Sequence, residues 1–415
     1  MERFHAYFPG AFHPIHIGDL FKSGRYTVVH KLGHGSYSTV WLAKDSTTET
    51  FVSLKVLAAD PAKWSGNPNS VREELEVHSR LRDAAHEPGK DFVAHLIDDF
   101  VHVGPNGEHQ CIVTELLGPP LASDIDDLYD NDILPAVTSK AIIKQVASAV
   151  QFLHRNNIAH GDLNMGNILL TSPKLSSLSN DDVEHYFGQV AKFVVKDGVE
   201  GVWKPPHAPQ YIVCAPDPLP LLELCLSDPA NVHVKLCDFS ESSIVTPDGQ
   251  PKKMNMPLMF RAPEVILTKP LMPALSTDIW ALAVLFHVVS TGGRPIFKYK
   301  YHRHSEDDIL KDIVLRLGKL PEPFWSAWDE RAQFFDEDGR PLEESTEEAP
   351  LLWYRNKLID DEERVLFEKM LRPMLMLEPT KRATIDDVLT SESFVKYCKG
   401  CMAPPSTSSA ILVDL

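Results

Sequence analysis

The chain has 415 residues, 43% hydrophobic and 24% charged, a composition that excludes disorder throughout and leaves room for two or three domain-sized cores. Lysine and arginine number 41 against 58 aspartates and glutamates, and the net charge of −17 argues against a general affinity for nucleic-acid phosphates or anionic lipid and favours a basic partner. Six cysteines are too few for a disulfide scaffold and the first residues lack a basic-then-apolar leader, so a reducing, intracellular compartment is expected.

Residues 1–25, with Pro9, Gly10, Pro14, Gly18 and several aromatics, suit an irregular arm packed on a domain. From Tyr26 the pattern alternates and predicts three short antiparallel strands, Tyr26 to Leu32, Val40 to Leu42 and Phe51 to Leu57, with turns at Gly33 to Ser36 and Asp45 to Thr48. A helix follows over Val71 to Ala84. A second strand pair, Val93 to His102 and Gln110 to Glu115, is joined by a Gly104-Pro105-Asn106-Gly107 turn. Residues 26–116 therefore read as a small antiparallel sheet with one main helix.

After Gly118-Pro119-Pro120 the apolar period becomes 3.6 (Ile142, Ile143, Val146, Val150, Leu153), and residues 117–396 read as mainly helical. Residues 171–232 carry Ser-rich and Pro-rich patches around an amphipathic stretch (Val183, Tyr186, Phe187, Val190) with Ser179 as its N-cap, the pattern of an insertion partly ordered on the surface. Ile279 to Val289 is the longest apolar run, and being well short of the ~20 residues that cross a bilayer it reads as a buried helix. Cys398 and Cys401 lie in a C-x-x-C without a second ligand pair and read as unrelated thiols ahead of a Pro/Ser tail, 397–415.

Three constellations carry chemistry. Gly33-His34-Gly35-Ser36-Tyr37-Ser38-Thr39-Val40 lies between two predicted strands, where backbone N–H groups can approach phosphates and Val40 can cover a planar base. Alone it is only a hairpin turn. Val52-Ser53-Leu54-Lys55 then puts one lysine among apolar neighbours, where it needs an anion, and Glu74 on the next helix is the candidate carboxylate. His160-Gly161-Asp162-Leu163-Asn164-Met165-Gly166-Asn167 sets a carboxylate five residues before an asparagine, a general base beside an oxygen ligand for a hard cation. In the third, Val234 to Ser240, Asp238 ends a short strand ahead of Phe239 and can supply the anionic oxygen of the same cation site.

In this order the motifs resemble those of eukaryotic-type protein kinases over residues 20–396, with Phe260-Arg261-Ala262-Pro263-Glu264, Asp278-Ile279-Trp280 and Arg382-Ala383-Thr384 as further matches. The arm His13 to Phe21, the run Lys31 to Leu42, Leu117-Gly118 and Ile309 to Pro321 are similar to the SR-protein kinases of the CMGC group. These kinases also carry a spacer where residues 171–232 are inserted. The resemblance implies an α+β, bilobal fold: a small antiparallel β lobe with one main helix (26–116) under the 1–25 arm, and a larger mainly helical lobe (117–396) that includes the acidic 300–350 insert.

The resemblance implies roles for individual residues. Gly33, Gly35 and the backbone of Ser36 to Ser38 cover the ATP phosphates; Leu32, Val40, Ser53 and Leu169 sandwich the adenine; Glu115 and Leu117 bond its edge, with Thr114 as gatekeeper. Lys55 holds the α- and β-phosphates, oriented by Glu74; Asn167 and Asp238 hold Mg²⁺; Asp162 accepts the hydroxyl proton. Asn164 stands where this family has the catalytic-loop lysine, so one positive charge is missing from the clamp on the transferring phosphoryl group. Gly161 replaces the arginine that reads a phosphorylated activation segment, Ser240 the glycine of D-F-G, and Ser53 an alanine.

These departures raise the alternative of a pseudokinase, an ATP-binding scaffold, although Lys55, Glu74, Asp162, Asn167 and Asp238 are all present. A small-molecule phosphotransferase is a third reading, opposed by the A-P-E segment. The kinase reading implies a serine/threonine kinase that phosphorylates basic Arg/Ser-rich proteins and so regulates mRNA splicing, working as a monomer in the cytoplasm and also in the nucleus, without direct nucleic-acid or membrane binding. Residues 306–348 hold fourteen acidic and five basic residues, a local charge of −9, which reads either as a docking surface or as a solvated loop.

Overall fold

The computed structural model describes residues 2, 4–60, 69–122, 134–194, 205–292, 295–297, 305–342 and 361–398. Strands β1 (Leu20–Phe21), β2 (Tyr26–His34), β3 (Ser38–Asp45), β4 (Phe51–Leu57), β5 (Leu96–Gly104) and β6 (Gly107–Glu115) form one antiparallel six-stranded sheet in the order β1-β2-β3-β4-β6-β5. The period-2 pattern fixes its faces: Val52, Leu54 and Val56 of β4 point into one apolar cluster, which leaves Ser53 and Lys55 on the opposite face. Helix α1 (Ser70–Asp83) buries Glu74, Val77, His78 and Leu81, spaced to share one helical face.

The arm is less irregular than its composition suggests, because Leu20 and Phe21 pair with Thr27 and Tyr26 and extend the sheet. The turn between β5 and β6 anchors it further. Asn106 Nδ2 donates to Phe12 O at 2.6 Å and to His207 O at 2.8 Å, and a Cβ on Gly104 would lie 2.3 Å from the His13 ring.

The larger part comprises α2 (Ala136–Arg155), the short strands β7 (Ile158–Ala159) and β8 (Ile168–Thr171), α3 (Asn180–Phe187), β9 (Lys192–Val194), β10 (Tyr211–Val213), α4 (Leu219–Leu226), β11 (His233–Leu236), β12 (Ser243–Ile244), α5 (Pro263–Leu267), α6 (Leu275–Thr291) and α7 (Glu306–Leu317). Helix α6 is apolar on all sides and buried along nearly its whole length, as a central core helix must be. A buried ion pair ties the start of α5 to the C-terminal region: Arg382 Nη1 and Nη2 reach Glu264 Oε1 and Oε2 at 2.7 and 3.1 Å.

The 171–232 insertion is partly ordered, as expected, over Tyr211–Val213 and Leu219–Leu226 among others, but its apolar faces are buried and not left on the surface. Ser179 caps α3 in a capping box with Asp182, as its sequence predicts, but α3 and α4 bury Val183, Phe187, Leu221, Leu222, Cys225 and Leu226 in the main core. Between them Val213 of β10 joins Ile15 and Phe21 of the arm against the face of the sheet that carries Val52 and Leu54. The physical reason is area: the outer face of a twisted sheet is apolar here, and the insertion supplies the matching apolar side chains. Cys398 is buried, and Cys401 lies outside the described residues, as do 298–304 and 343–360 of the acidic region.

Candidate active site

Lys55 projects from β4 toward α1. Its Nζ donates to Glu74 Oε1 at 2.7 Å and to Asp238 Oδ1 at 2.8 Å, so one ammonium joins the sheet, the helix and the segment after β11. Burial opposes the charge on Lys55, but the two carboxylates outweigh it and raise its pKa. Burial also disfavours ionisation of Asp238, yet Lys55 pulls that carboxyl down to about 2. Glu74 moves the other way because it is buried more deeply and its nearness to Asp238 adds to the cost of ionising it.

Asp162 follows a loop whose backbone is fixed from below by Asp278 of α6. His160 N and Gly161 N donate to the Asp278 carboxylate at 2.7 and 2.9 Å, and His154 Nε2 lies 3.0 Å from it. Asp162 N donates to His160 Nδ1 at 3.2 Å, which leaves Nε2–H to donate to Cys237 O at 3.1 Å. The Phe239 ring sits edge-on between His78 of α1 and His160, with centroids 5.1 and 5.5 Å away, so this stack ties the helix to the catalytic loop.

The two oxygens of Asp162 are each met by a neutral amide. Asn164 Nδ2 donates to Oδ1 and Asn167 Nδ2 to Oδ2, both at 2.8 Å. Burial raises the Asp162 pKa to about 7; these two bonds oppose the rise, and Asp238 and Glu241 reinforce it. A carboxyl poised near neutrality and next to a cleft is what a general base requires.

A cleft of ≈ 630 Å³ lies between the sheet and the larger part, lined by Leu32, Gly33, Gly35, Val40, Ser53, Lys55, Glu74, Thr114, Glu115, Leu117, Asn167, Leu169 and Asp238. The volume suits a nucleotide-sized ligand. Asp162 and Asn164 lie just beyond the lining, joined to it through Asn167. Ser36 does not line the cleft: β2 and β3 run to His34 and from Ser38, and the three-residue tip leaves Ser36 exposed while Ser38 takes the lining position. Gly33 borders the cleft, and a Cβ there would meet no atom within 4 Å, so backbone approach to a ligand is open. Behind Thr114 the cleft continues to Ala94, Ile112 and His78.

Sequence reasoning missed the front wall, where Ala215, Pro216, Pro218 and Leu221 of the insertion line the cleft together with Gly118, Pro119 and Pro120. The Pro-rich composition marks a loop there but not the place to which a long insertion returns. Also missed was the Tyr37 hydroxyl, which donates to Glu241 Oε1 at 3.1 Å and bridges the two parts of the molecule.

Among the described residues no group of three or more His, Cys, Asp or Glu is placed to hold a metal ion. Asn167 and Asp238 instead offer one neutral and one anionic oxygen at the cleft, a partial donor set that fits a hard cation whose remaining ligands come from phosphates. This arrangement, with a lysine held between two carboxylates on one side of a nucleotide-sized cleft and a near-neutral aspartate on the other, defines a two-lobed phosphotransferase.

The chain belongs to the protein kinase domain family, which it matches over residues 26–179 and 224–394; the unmatched stretch lies within the insertion. It is 28% identical to "Serine/threonine-protein kinase SRPK" of Physarum polycephalum over 410 residues, covering 92% of this chain and 88% of that protein. It is 39% identical to the human "SRSF protein kinase 3" over 168 residues, covering 40% of this chain and 28% of that one. It is 38% identical to "Protein kinase dsk1" of Schizosaccharomyces pombe over 166 residues, covering 40% and 30%. The family and the α+β fold agree with the expectation from the motifs, and the family in general uses ATP and a divalent cation.

Proposed function

We propose that the protein is a serine/threonine kinase that transfers the γ-phosphate of ATP to Arg/Ser-rich proteins, with Mg²⁺ as its cation. The observation that carries the reading is the pairing of Lys55 with both Glu74 and Asp238 at 2.7 and 2.8 Å, which assembles the phosphate-holding lysine and the cation-site carboxylate in one cleft, with Asp162 bonded to Asn167 at its edge. On this reading Leu32, Val40, Ser53 and Leu169 enclose the adenine, Glu115 and Leu117 meet its edge, and Gly33 and Gly35 lie over the phosphates. Lys55 exchanges its contact with Asp238 for the α- and β-phosphates and remains aligned by Glu74. Asn167 and Asp238 hold the cation, which when bound neutralises phosphate charge. Asp162 takes the proton of the attacking hydroxyl, and its raised pKa makes that acceptance favourable near neutral pH.

The substrate class is supported by the net charge of −17 and by the names of the relatives, one of them an SRSF protein kinase. Among the described residues of the acidic region, the charge of Glu306 is already paired with cations from outside it, whereas Asp307 keeps its charge. Glu306 is already bonded to Arg261 and Lys269, and Asp307 accepts from Trp328 Nε1 at 2.8 Å. The reading includes a monomer in the cytoplasm and nucleus. A peptide array tests the substrate: strong preference for arginine beside the phosphoacceptor serine supports the assignment, and indifference to arginine removes it while leaving the kinase chemistry in place.

A further inference from the structure

The segment from Asp238 to Glu264 is fastened to the catalytic loop by its own backbone and side chains. Gly161 has φ +78°, and a Cβ there would lie 2.5 Å from the carbonyl oxygen of Glu241. The place an arginine side chain would leave from is therefore filled by the backbone of residue 241. Ser242 Oγ donates to His160 O at 2.8 Å and fixes this backbone to the loop.

One cation then gathers the segment. Lys252 Nζ donates to the carbonyl oxygens of both Glu241 and Ser242, the latter at 3.1 Å. The lysine's own backbone is held by a two-way bridge to Leu271, with both N–H···O bonds at 3.0 Å. Burial lowers its pKa, and Glu241, Glu73 and Asp278 favour its charged form. On the far side, the buried Glu241 carboxylate accepts from Asn255 Nδ2 at 3.3 Å and from the Tyr37 hydroxyl at the tip of the glycine-rich loop.

We infer that Lys252 is a positioning residue that holds Glu241 and Ser242 on the catalytic loop and, through the Glu241 side chain, the tip of the glycine-rich loop over the cleft. The inference rests on the kinase reading above. A charge-assisted bond to two carbonyls is strong enough to order a short segment.

The test compares wild type, Lys252→Met, Lys252→Gln and Lys252→Arg for transfer to an Arg-Ser peptide, for thermal melting and for amide hydrogen exchange over residues 239–245. The expected result for Lys252→Met is a fall in kcat of at least about tenfold, with KM for ATP changed by less than about threefold. Exchange at Glu241 to Ser243 should be faster, and Lys252→Arg should restore both to near wild type. If the Met variant does not fold, the Gln variant, which keeps a donor but not the charge, should show an intermediate loss. Removing the Tyr37 hydroxyl with Tyr37→Phe should lower kcat in wild type and add little in the Lys252→Gln background, because the two act in series. Unchanged kcat and exchange in the neutral variants overturn the inference, as does a loss that arginine does not rescue. Absence of transfer in wild type counts against the kinase reading alone, and the exchange comparison still decides the role of Lys252.

Discussion

Asn164 Nδ2 donates to Asp162 Oδ1 at 2.8 Å while its own Oδ1 accepts from Gly166 N at 2.7 Å, so the amide is locked with its donor against the catalytic carboxyl. A neutral amide here steadies the carboxylate but cannot repay the cost of burying it, and Asp162 titrates at about 7. The base works only when ionised, so kcat/KM should rise with pH and level off above about 7. Asn164→Lys should move that rise to lower pH and raise the plateau by about tenfold or more, since it returns a cation to the phosphoryl clamp. A profile that is flat from about pH 6 to 8 in wild type would mean that Asp162 is already ionised at pH 6 in the working enzyme.

How far the sequence could reach is clear from particular residues. Lys55, Glu74, Asp162, Asn167 and Asp238 were legible because each lies in a short run whose chemistry is local: an alternating strand, an amphipathic helix, a loop leading into an apolar strand. Their meeting in one cleft follows from the order of those runs. The Tyr37 to Glu241 bond spans 204 positions and joins two loops, and no periodicity encodes it. The insertion was legible as an interruption, but its burial against Ile15 and Phe21 depends on a sheet face whose need for cover becomes visible only once the strands are paired. The order in the arm was missed for the same reason, since a two-residue strand carries no pattern of its own.

Gly161 offers no guanidinium on the catalytic loop to read a phosphorylated activation segment, so activity should not depend on that phosphorylation. Phosphatase treatment should leave the specific activity of the protein unchanged. Gly161→Arg should not install phosphate control; with φ at +78° and 2.5 Å between the new Cβ and Glu241 O, it should lower both the melting temperature and the activity. A gain in phosphate dependence with normal stability would show that the segment can move aside.

The front wall of the cleft is open to a direct probe at Ala215, which is exposed and lines the mouth of the cavity. Ala215→Trp should narrow the mouth, raising KM for ATP by about threefold or more while leaving the melting temperature unchanged, because no core contact is lost. An unaltered KM would mean that nucleotide enters and sits without meeting the insertion.

The buried pair Arg382 and Glu264 fixes the end of the activation segment to the helical part, with the Arg382 side chain 0% exposed and Glu264 4%. Arg382→Met should leave the carboxylate buried and unpaired and cost about 3–5 kcal/mol of stability in equilibrium unfolding. A loss below about 1 kcal/mol would mean that the pair is surface-like in solution.

The most direct measurement is transfer of radiolabelled γ-phosphate from ATP to an Arg-Ser peptide and to a neutral protein, by wild type and by Asp162→Asn, each paired with a titration of ATP binding. The account predicts transfer to the peptide by wild type, none by Asp162→Asn, and ATP binding by both. Transfer that survives Asp162→Asn would place the base elsewhere, and ATP binding without transfer by wild type would make the protein a nucleotide-binding scaffold.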